Sequence, residues 1–215
     1  MTVTISRLYH GYGTAQQVVS DLEAAGLRSE DISIVASNAD NWYKPSDKSG
    51  RKMTDRKDTD HDGKDDRVEG AEKGAGIGAV VGGAAGLLAG LGILAIPGVG
   101  PVVAAGWLAA TAAGALAGGA TGGIVGALTQ AGVSKEDAHV YAEGLRRGGT
   151  MVTARVADAE RSRFESILNR SAVNIRERGE AYRKSGWTGF DEKAKPYSAD
   201  DVRRERTTYQ SPDMR

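Results

Sequence analysis

The chain has 215 residues and no net charge, with 28 basic and 28 acidic side chains. This balance excludes the strong positive field on which nucleic-acid binders depend, so we expect no nucleic-acid partner. Because there is no cysteine, disulfides, thiolate metal sites and cysteine nucleophiles are excluded as well. The first residues lack a basic cap and a long apolar run, so we expect no secretory signal.

The first 37 residues predict a β-α-β unit, the first half of an α+β domain. Residues 3–9 roughly alternate between apolar and polar side chains and predict a strand. A helix whose apolar residues share one face should follow, with Thr14 as its N-cap and Gly26 as its C-terminal stop. A second strand is expected over residues 31–36. Residues 38–57 turn polar and predict a linker.

Residues 58–69 match the spacing of a calcium-binding EF-hand loop, D-x-[DN]-x-[DN]-G-x5-E. In such a loop alternate acidic side chains converge on one cation, a glycine permits the sharp turn, and a glutamate closes the shell. The expected ligands are Asp58, Asp60, Asp62, the Lys64 carbonyl, Asp66 and Glu69. Asp65 stands where an apolar residue is usual, and no convincing helix precedes the loop. We therefore predict weak Ca²⁺ binding, with a solvated polar linker as the alternative.

Glycine recurs at every fourth position over residues 70–90 and again over 106–126, where alanine takes one step. Both runs lie in the region 70–132, which has no charged residue between Lys73 and Lys135. A period of four keeps such positions on one helix face, and a bare face permits close helix–helix packing. The predicted packing positions are Gly70, Gly74, Gly78, Gly82, Gly86, Gly90, Gly106, Ala110, Gly114, Gly118, Gly122 and Gly126. Between the two runs, Pro97, Gly98, Gly100 and Pro101 cannot continue a helix and predict a turn. The region is thus predicted to form a glycine-zipper helical hairpin.

The lengths of these two helices match a lipid bilayer. Residues 74–94 would form a helix of roughly 31 Å, close to the roughly 30 Å of a bilayer core. Residues 102–129 are long enough to span a bilayer with tilt. Lys and Arg flank both spans and are absent from the turn, so both termini are expected on the cytoplasmic side of a bacterial inner membrane. The alternative is a cytoplasmic soluble homo-oligomer, a ring, cage or filament, with the hairpins as its core.

Residues 133–178 predict the second half of the α+β domain. A helix opens at Ser134 with a pattern that resembles a capping box. A strand over 151–156, a helix capped by Asp158 and a short strand over 173–175 follow. Joined to the first half, these elements predict a ferredoxin-like domain that the hairpin interrupts.

Neither half has enough apolar residues for a core of its own. The halves should therefore meet, and the inserted region must return the chain to where it left. Residues 179–215 are polar with scattered aromatic side chains, and they predict a flexible tail. The alternative is that the aromatic side chains and the arginines between them dock onto the folded domain or onto a partner.

No pattern typical of catalysis is present. The histidines lack metal-binding spacing, and Gly11-Tyr12-Gly13 lacks the third glycine of a dinucleotide fingerprint. There is no P-loop lysine and no nucleophile elbow. We expect neither enzymatic activity, nor an organic cofactor, nor a small-molecule substrate.

Several of these segments together resemble the bacterial heat-induced general stress protein family. They are Val3–Tyr9, the acidic loop, the glycine run with Ile96–Pro101, and Gly148–Val152. The resemblance covers about residues 2–175 and implies a small α+β domain with a stress-response role, without an assigned activity or catalytic residues. We therefore expect a stress-associated, non-catalytic membrane protein that self-associates through its hairpin and binds Ca²⁺ beside the membrane.

Overall fold

The computed structural model describes residues 1–44, Leu87, 91–117 and 123–209. The described strands are β1 (Thr2–Tyr9), β2 (Ile32–Ser37), β3 (Gly92–Ile96), β4 (Gly100–Gly106) and β5 (Thr150–Ala157). The described α-helices are α1 (Tyr12–Ala24), α2 (Trp107–Ala117), α3 (Gly123–Gln130), α4 (Lys135–Arg146), α5 (Arg161–Leu168), α6 (Ile175–Lys184) and α7 (Ala199–Tyr209). The α+β class expected from the sequence is confirmed.

The five strands form one antiparallel sheet in the order β1-β5-β2-β4-β3. Since β5 lies between β1 and β2 and is antiparallel to both, β1 and β2 run in the same direction. They are joined through α1, which makes a split β-α-β unit. The two halves of the predicted domain therefore meet in one sheet, because β5 from the second half fills the gap between the strands of the first.

Helices cover both faces of this sheet, so there are two apolar cores. On one face α1 and α5 contribute Val19, Leu22 and Phe164, which pack against Ile34 and its neighbours on β2 and β5. On the other face α2, α3 and α4 pack against β2, β4 and β5. Every residue of β2 is buried, as expected for a strand with helices on both sides. Each large apolar side chain buried in this way contributes about 1.5–3 kcal/mol.

The ferredoxin-like prediction places a further strand beside β1, and here the structure differs. The Val173 N–H donates one hydrogen bond to the Leu8 carbonyl (2.8 Å), but residue 175 already begins α6. The strand predicted over 173–175 is wrong. Its apolar residues are outweighed by Asn174, whose side chain accepts hydrogen bonds from the N–H groups of Arg176 and Glu177 and so caps α6.

The sheet is instead extended on the side of β2 by β4 and β3, in a region where helices were predicted. Residues 92–94 and 102–106 form strands, so the predicted helical spans 74–94 and 102–129 are wrong at these positions. A turn is present over residues 97–99, but it joins two strands, and Gly100 and Pro101 of the predicted turn already belong to β4. Gly98 and Gly100 have φ 72° and 102°. The physical reason is pairing: the β-branched side chains between residues 93 and 103 suit a strand as well as a buried helix, and the pairing of β4 with β2 and of β3 with β4 selects the strands.

Two predicted helix caps are not used. The helix α1 begins at Tyr12 with Gly11 as N-cap, so Thr14 lies inside it. Asp158 begins a short 3-10 turn, and α5 follows with Glu160 at its N-cap position. The stop at Gly26 is confirmed, since this residue has φ 93°, which a side chain would disfavour.

The segment after residue 179 folds onto the domain. It supplies Tyr182, Phe190 and Val202, which are all buried. The prediction of a flexible tail is therefore wrong for residues 179–209, and residues 210–215 lie outside the described part. Polar composition concealed this docking because a few apolar side chains and many arginine contacts replace a continuous apolar stripe.

Candidate functional site at the base of the glycine-rich segment

Many residues expected to act from the sequence lie outside the part of the chain that the structure describes. They are Asp58, Asp60, Asp62, Lys64, Asp66, Glu69, Gly70, Gly74, Gly78, Gly82, Gly86, Gly90, Gly118 and Gly122. Among the described residues, no group of three or more His, Asp or Glu side chains is placed to hold a metal ion. Nor is any helix in that part both long and apolar enough to cross a membrane.

The described part of the second glycine run does not form one continuous helix face. Gly106 ends β4 with φ 90°, and a Cβ added there would lie 2.2 Å from the Ile32 carbonyl oxygen. Ala110 and Gly114 lie in α2 and Gly126 lies in α3. At its start α3 has Gly123 with φ 42°, which breaks a straight continuation from α2. The glycine at 106 is thus explained by the sheet rather than by helix packing.

The described residues on either side of the region 45–90, which contains the first glycine run, lie side by side. Tyr43, next to the last residue described before it, donates a hydrogen bond from its hydroxyl to the carbonyl of Leu91 (3.3 Å). Asn38 links the same corner to β4, because its N–H donates to the Pro101 carbonyl at 2.8 Å. The Asn38 side chain also bonds the backbone of Tyr43 in both directions, at 3.0 and 3.1 Å. We call the region 45–90 the glycine-rich segment, and residues 38–44 with Leu91 and Gly92 its base.

Aromatic stacking holds residues 38–44, which we call the outgoing side of the base because they precede the region 45–90. The ring of Trp42 lies 4.6 Å from that of Tyr12 at the start of α1, and its Nε1 donates to the Ser37 carbonyl at 2.7 Å. Trp42 is nevertheless 39% exposed. The described residues on either side of the region 45–90 therefore meet at one corner of the sheet, as expected for an interrupted domain.

The C-terminal helix α7 is tied to this base. Arg206 pairs with Asp40 through Nη1 at 2.6 Å, and its Nε and Nη2 donate to the Gly148 carbonyl at 3.2 and 3.1 Å. Val202, one turn earlier, is fully buried against Gly148. A single arginine thus connects α7, the loop before β5 and the outgoing side of the base.

A buried carboxylate organises the rest of this contact. Glu143 of α4 is fully buried and accepts from Arg147 Nε at 2.6 Å and from Arg146 Nη1 at 3.3 Å. Arg147 also reaches Glu205 of α7 at 3.1 Å and lies 4.3 Å from the ring centre of Tyr182. Burial alone would lower the pKa of the Arg147 guanidinium, but its bonds and attraction to Glu143 and Glu205 outweigh burial and raise it. The Arg147 guanidinium is therefore charged throughout the physiological range.

Arginine and tyrosine side chains close the contact between α6 and α7. The Arg178 guanidinium lies 4.2 Å from the ring centre of Tyr209, and the rings of Tyr209 and Tyr182 meet edge to face at 5.9 Å. Such cation–π contacts each contribute about 0.5–2 kcal/mol, more when they are desolvated. The interleaving of arginine and aromatic side chains in this segment predicted docking only as the alternative to a flexible tail, and the structure confirms that alternative for residues 179–209.

The space inside the contact is small. A cavity of about 20 Å³ lies among Tyr9, His10, Arg178, Tyr209 and their neighbours. That volume holds a water molecule but no organic substrate, since ligand pockets measure about 300–1,000 Å³. Burial, and next the nearby Arg178, lower the pKa of His10, so this side chain is neutral at pH 7. The contact is arranged to hold α7 against the domain rather than to bind a substrate.

A more open groove of about 380 Å³ lies at the other end of α4, lined mainly by apolar atoms of Val125, Gly126, Thr129 and Phe190. His139 lines it too, and its Nδ1 accepts a hydrogen bond from the Phe190 N–H at 3.2 Å. This histidine therefore fixes the C-terminal segment.

No family model, curated protein or solved structure matches this chain.

Proposed function

We propose that this chain is a non-catalytic protein that assembles with copies of itself through its glycine-rich segment, while the α+β domain anchors both ends of that segment. The observation that carries the proposal is the hydrogen bond from the Tyr43 hydroxyl to the Leu91 carbonyl, 3.3 Å, at the base. The resemblance to the general stress protein family supplies the stress-associated part of the proposal.

The glycine period supports self-association. Each glycine disfavours a helix by about 1 kcal/mol relative to alanine, so a helix over residues 70–90 needs a compensating contact. Close packing of one bare face against an identical face on another copy provides such a contact, since it brings two backbones into van der Waals range. Because the residues on either side of the region 45–90 are held at the base, copies can pack in this way while the domain stays folded.

Connectivity favours assembly in water, in the cytoplasm, over a membrane-spanning hairpin. The second predicted span begins in β4, where Val102 and Val103 are fully buried in the sheet, and continues into α2, where Leu108 is fully buried. Tyr43 and Leu91 lie together, so they are on the same side of any bilayer. If residues 70–90 crossed it once, residues 45–69 would therefore have to cross it as well. These residues are rich in Asp, Lys and Arg, and each costs about 2.5–3.5 kcal/mol at the bilayer centre.

We propose Ca²⁺ as the cation for the loop at 58–69, directly before the first glycine of the run. Oxygen ligands from Asp58, Asp60, Asp62, the Lys64 carbonyl, Asp66 and Glu69 suit this hard cation. In an assembly these acidic loops approach one another, so the bound cation would reduce their mutual repulsion. We therefore expect Ca²⁺ to increase the mass of the assembly, and a chelator to lower it.

The mass of the full-length chain, measured by light scattering after gel filtration, tests the proposal. We expect an oligomer for the wild type and for Val80→Leu, which changes a residue off the glycine face. Gly82→Leu should reduce the mass towards that of one chain, 22.5 kDa, because leucine keeps the two backbones apart. A wild type that is monomeric in buffer and in mild detergent would show the proposal to be wrong.

Carbonate extraction of cell membranes separates the two environments. Release of the protein as a large particle supports assembly in water. Retention in the membrane pellet would instead support the inner-membrane hairpin and refute our choice between them.

A further inference from the structure

The sheet ends at β3 in a strand that carries no charge. Its sequence is Gly-Ile-Leu-Ala-Ile, and Gly92, Ile93 and Ala95 are exposed, with Ile93 at 45%. Sheet edges in soluble proteins are usually protected by charged side chains, proline, a bulge or a covering loop, because an open edge pairs with other strands. The residues of β3 themselves supply none of these side chains.

The register between β3 and β4 shows which backbone groups of β3 point outward. Ala95 lies opposite Pro101, which has no N–H to donate. The Pro101 carbonyl accepts a hydrogen bond from the Asn38 N–H, which follows β2, so this carbonyl points towards β2 and away from β3. Pro101 and Ala95 are therefore a pair without hydrogen bonds between them. Partners alternate along an antiparallel ladder, so Ala95 and Ile93 direct their N–H and C=O groups away from β4. Within the part of the chain that the structure describes, these groups have no hydrogen-bond partner.

The opposite edge of the sheet, at β1, is covered. The Val173 N–H donates to the Leu8 carbonyl, which occupies one outward group of β1. Arg7 spreads over the same edge, with Nε donating to Asn169 at 2.6 Å and Nη2 donating to Glu165 at 2.7 Å. The contrast shows that the fold protects one edge and, in its described part, leaves the other open.

We propose that β3 pairs antiparallel with β3 of a second copy of this chain, so that two sheets become one continuous sheet. This inference rests on the self-association proposed above and adds the surface and orientation of the contact. An antiparallel strand is complementary to itself about a two-fold axis, and β3 has no charge to repel its copy. The region 45–90 ends directly before Leu91, so glycine-rich segments that assemble bring two β3 edges together.

One register pairs every outward group. With the two-fold axis at Leu94, Ile93 of each copy lies opposite Ala95 of the other. In each of these two pairs, the N–H of either residue donates a hydrogen bond to the C=O of its partner. Leu94 then faces Leu94 of the second copy as a non-hydrogen-bonded pair, with Cα atoms about 4.5 Å apart. That separation is within the range that a disulfide bridges.

Single cysteines test the contact cleanly, because the chain has none of its own. Under mild oxidation Leu94→Cys should form a disulfide-linked dimer of the full-length chain. Ser166→Cys, on the exposed face of α5, is the matched control and should stay monomeric on a denaturing gel. Ile93→Cys should cross-link less than Leu94→Cys, because its neighbour across the axis is Ala95.

A second variant removes the pairing without disturbing β4. Ala95→Pro deletes an outward N–H and leaves the β3–β4 hydrogen bonds in place, since proline is tolerated at such edge positions. Thermal unfolding should show Ala95→Pro to be as stable as the matched variant Ala95→Ser. Light scattering should give a lower mass for Ala95→Pro than for Ala95→Ser, which keeps the N–H and should assemble like the wild type.

The inference is overturned if Ala95→Pro keeps the wild-type mass and Leu94→Cys cross-links no more than Ser166→Cys. In that case an effect of Gly82→Leu would still support assembly through the glycine-rich segment. A wild type that is monomeric under all conditions overturns both proposals.

Discussion

Replacing Gly106 with alanine should destabilise the domain strongly, because this glycine ends β4 against the backbone of β2. Its φ is 90°, and an added Cβ would lie 2.2 Å from the Ile32 carbonyl oxygen and 2.8 Å from the Ser33 Cα. Both are backbone atoms, so no side chain can turn away to make room. Moving them would break the pairing of Ser33 with Gly106, at the end of the β2–β4 ladder.

The magnitude follows from two contributions. A non-glycine residue held in a sparsely populated backbone region costs about 1–3 kcal/mol. Forcing a methyl group into a packed interior costs typically a further 1–3 kcal/mol. We expect a loss of about 4 kcal/mol, a large share of the roughly 5–15 kcal/mol that stabilises a domain. For a chain of this size, the melting temperature should fall by about 8–16 °C.

Thermal and urea unfolding followed by circular dichroism measure this effect. Gly13→Ala is the control, since Gly13 lies inside α1 with no atom within 4 Å of its added Cβ. It should raise stability by up to about 1 kcal/mol, through helix propensity. A typical substitution lowers the free energy of unfolding by about 1 kcal/mol. If Gly106→Ala lowers it by no more than this, the assignment of Gly106 to the sheet is wrong. If Gly106→Ala changed only the mass of the assembly, Gly106 would act in glycine-zipper packing instead.

Three further predictions concern the buried carboxylate of Glu143, the buried hydroxyl of Tyr141 and the acidic loop. Glu143→Ala should lower the free energy of unfolding by about 3 kcal/mol in urea, because it leaves the partly buried guanidinium groups on α4 without their carboxylate. Burial raises the pKa of Tyr141 from 10.0 to about 12. The folded state should therefore lose stability as pH rises from about 10 to 12, and Tyr141→Phe should make that loss shallower in an alkaline titration. In calorimetry the full-length chain should bind Ca²⁺ with a Kd of about 10⁻⁴–10⁻³ M, and Glu69→Gln should abolish the heat.

Matched variants control these measurements. Glu143→Gln keeps the shape and one acceptor, so it should cost less than Glu143→Ala. Glu180→Gln removes an exposed carboxylate on α6 and should leave the Ca²⁺ heat unchanged. Equal stability of Glu143→Ala and the wild type, an alkaline profile that Tyr141→Phe does not alter, or no heat at millimolar Ca²⁺ would each contradict the corresponding argument.

Local sequence patterns determined several elements by themselves. Ser134 caps α4, since its Oγ accepts from the Asp137 N–H at 3.1 Å, as the capping pattern predicted. The apolar face of α1, the alternation of β5 and the turn around Gly98 were equally legible. For the Ser134 cap and the turn around Gly98, the deciding interactions lie within a few residues of one another, so the sequence contains them directly. For α1 and β5, the apolar period along the element indicated its type, although β5 pairs with residues far away in the sequence. The return of the chain was also predictable, because neither half could bury a core alone.

Only the tertiary structure decided the uncharged region and the C-terminal segment. Residues such as Val102 and Val103 suit a buried helix and a buried strand equally, and pairing with β2, far away in the sequence, selects the strand. Likewise α7 has few apolar residues, and its position depends on Arg206 meeting Asp40 and on Arg147 meeting Glu205. Contacts between residues so distant along the chain leave no local period. The sequence therefore determined the class of the domain and its need to close, whereas long-range pairing decided which glycines belong to the sheet.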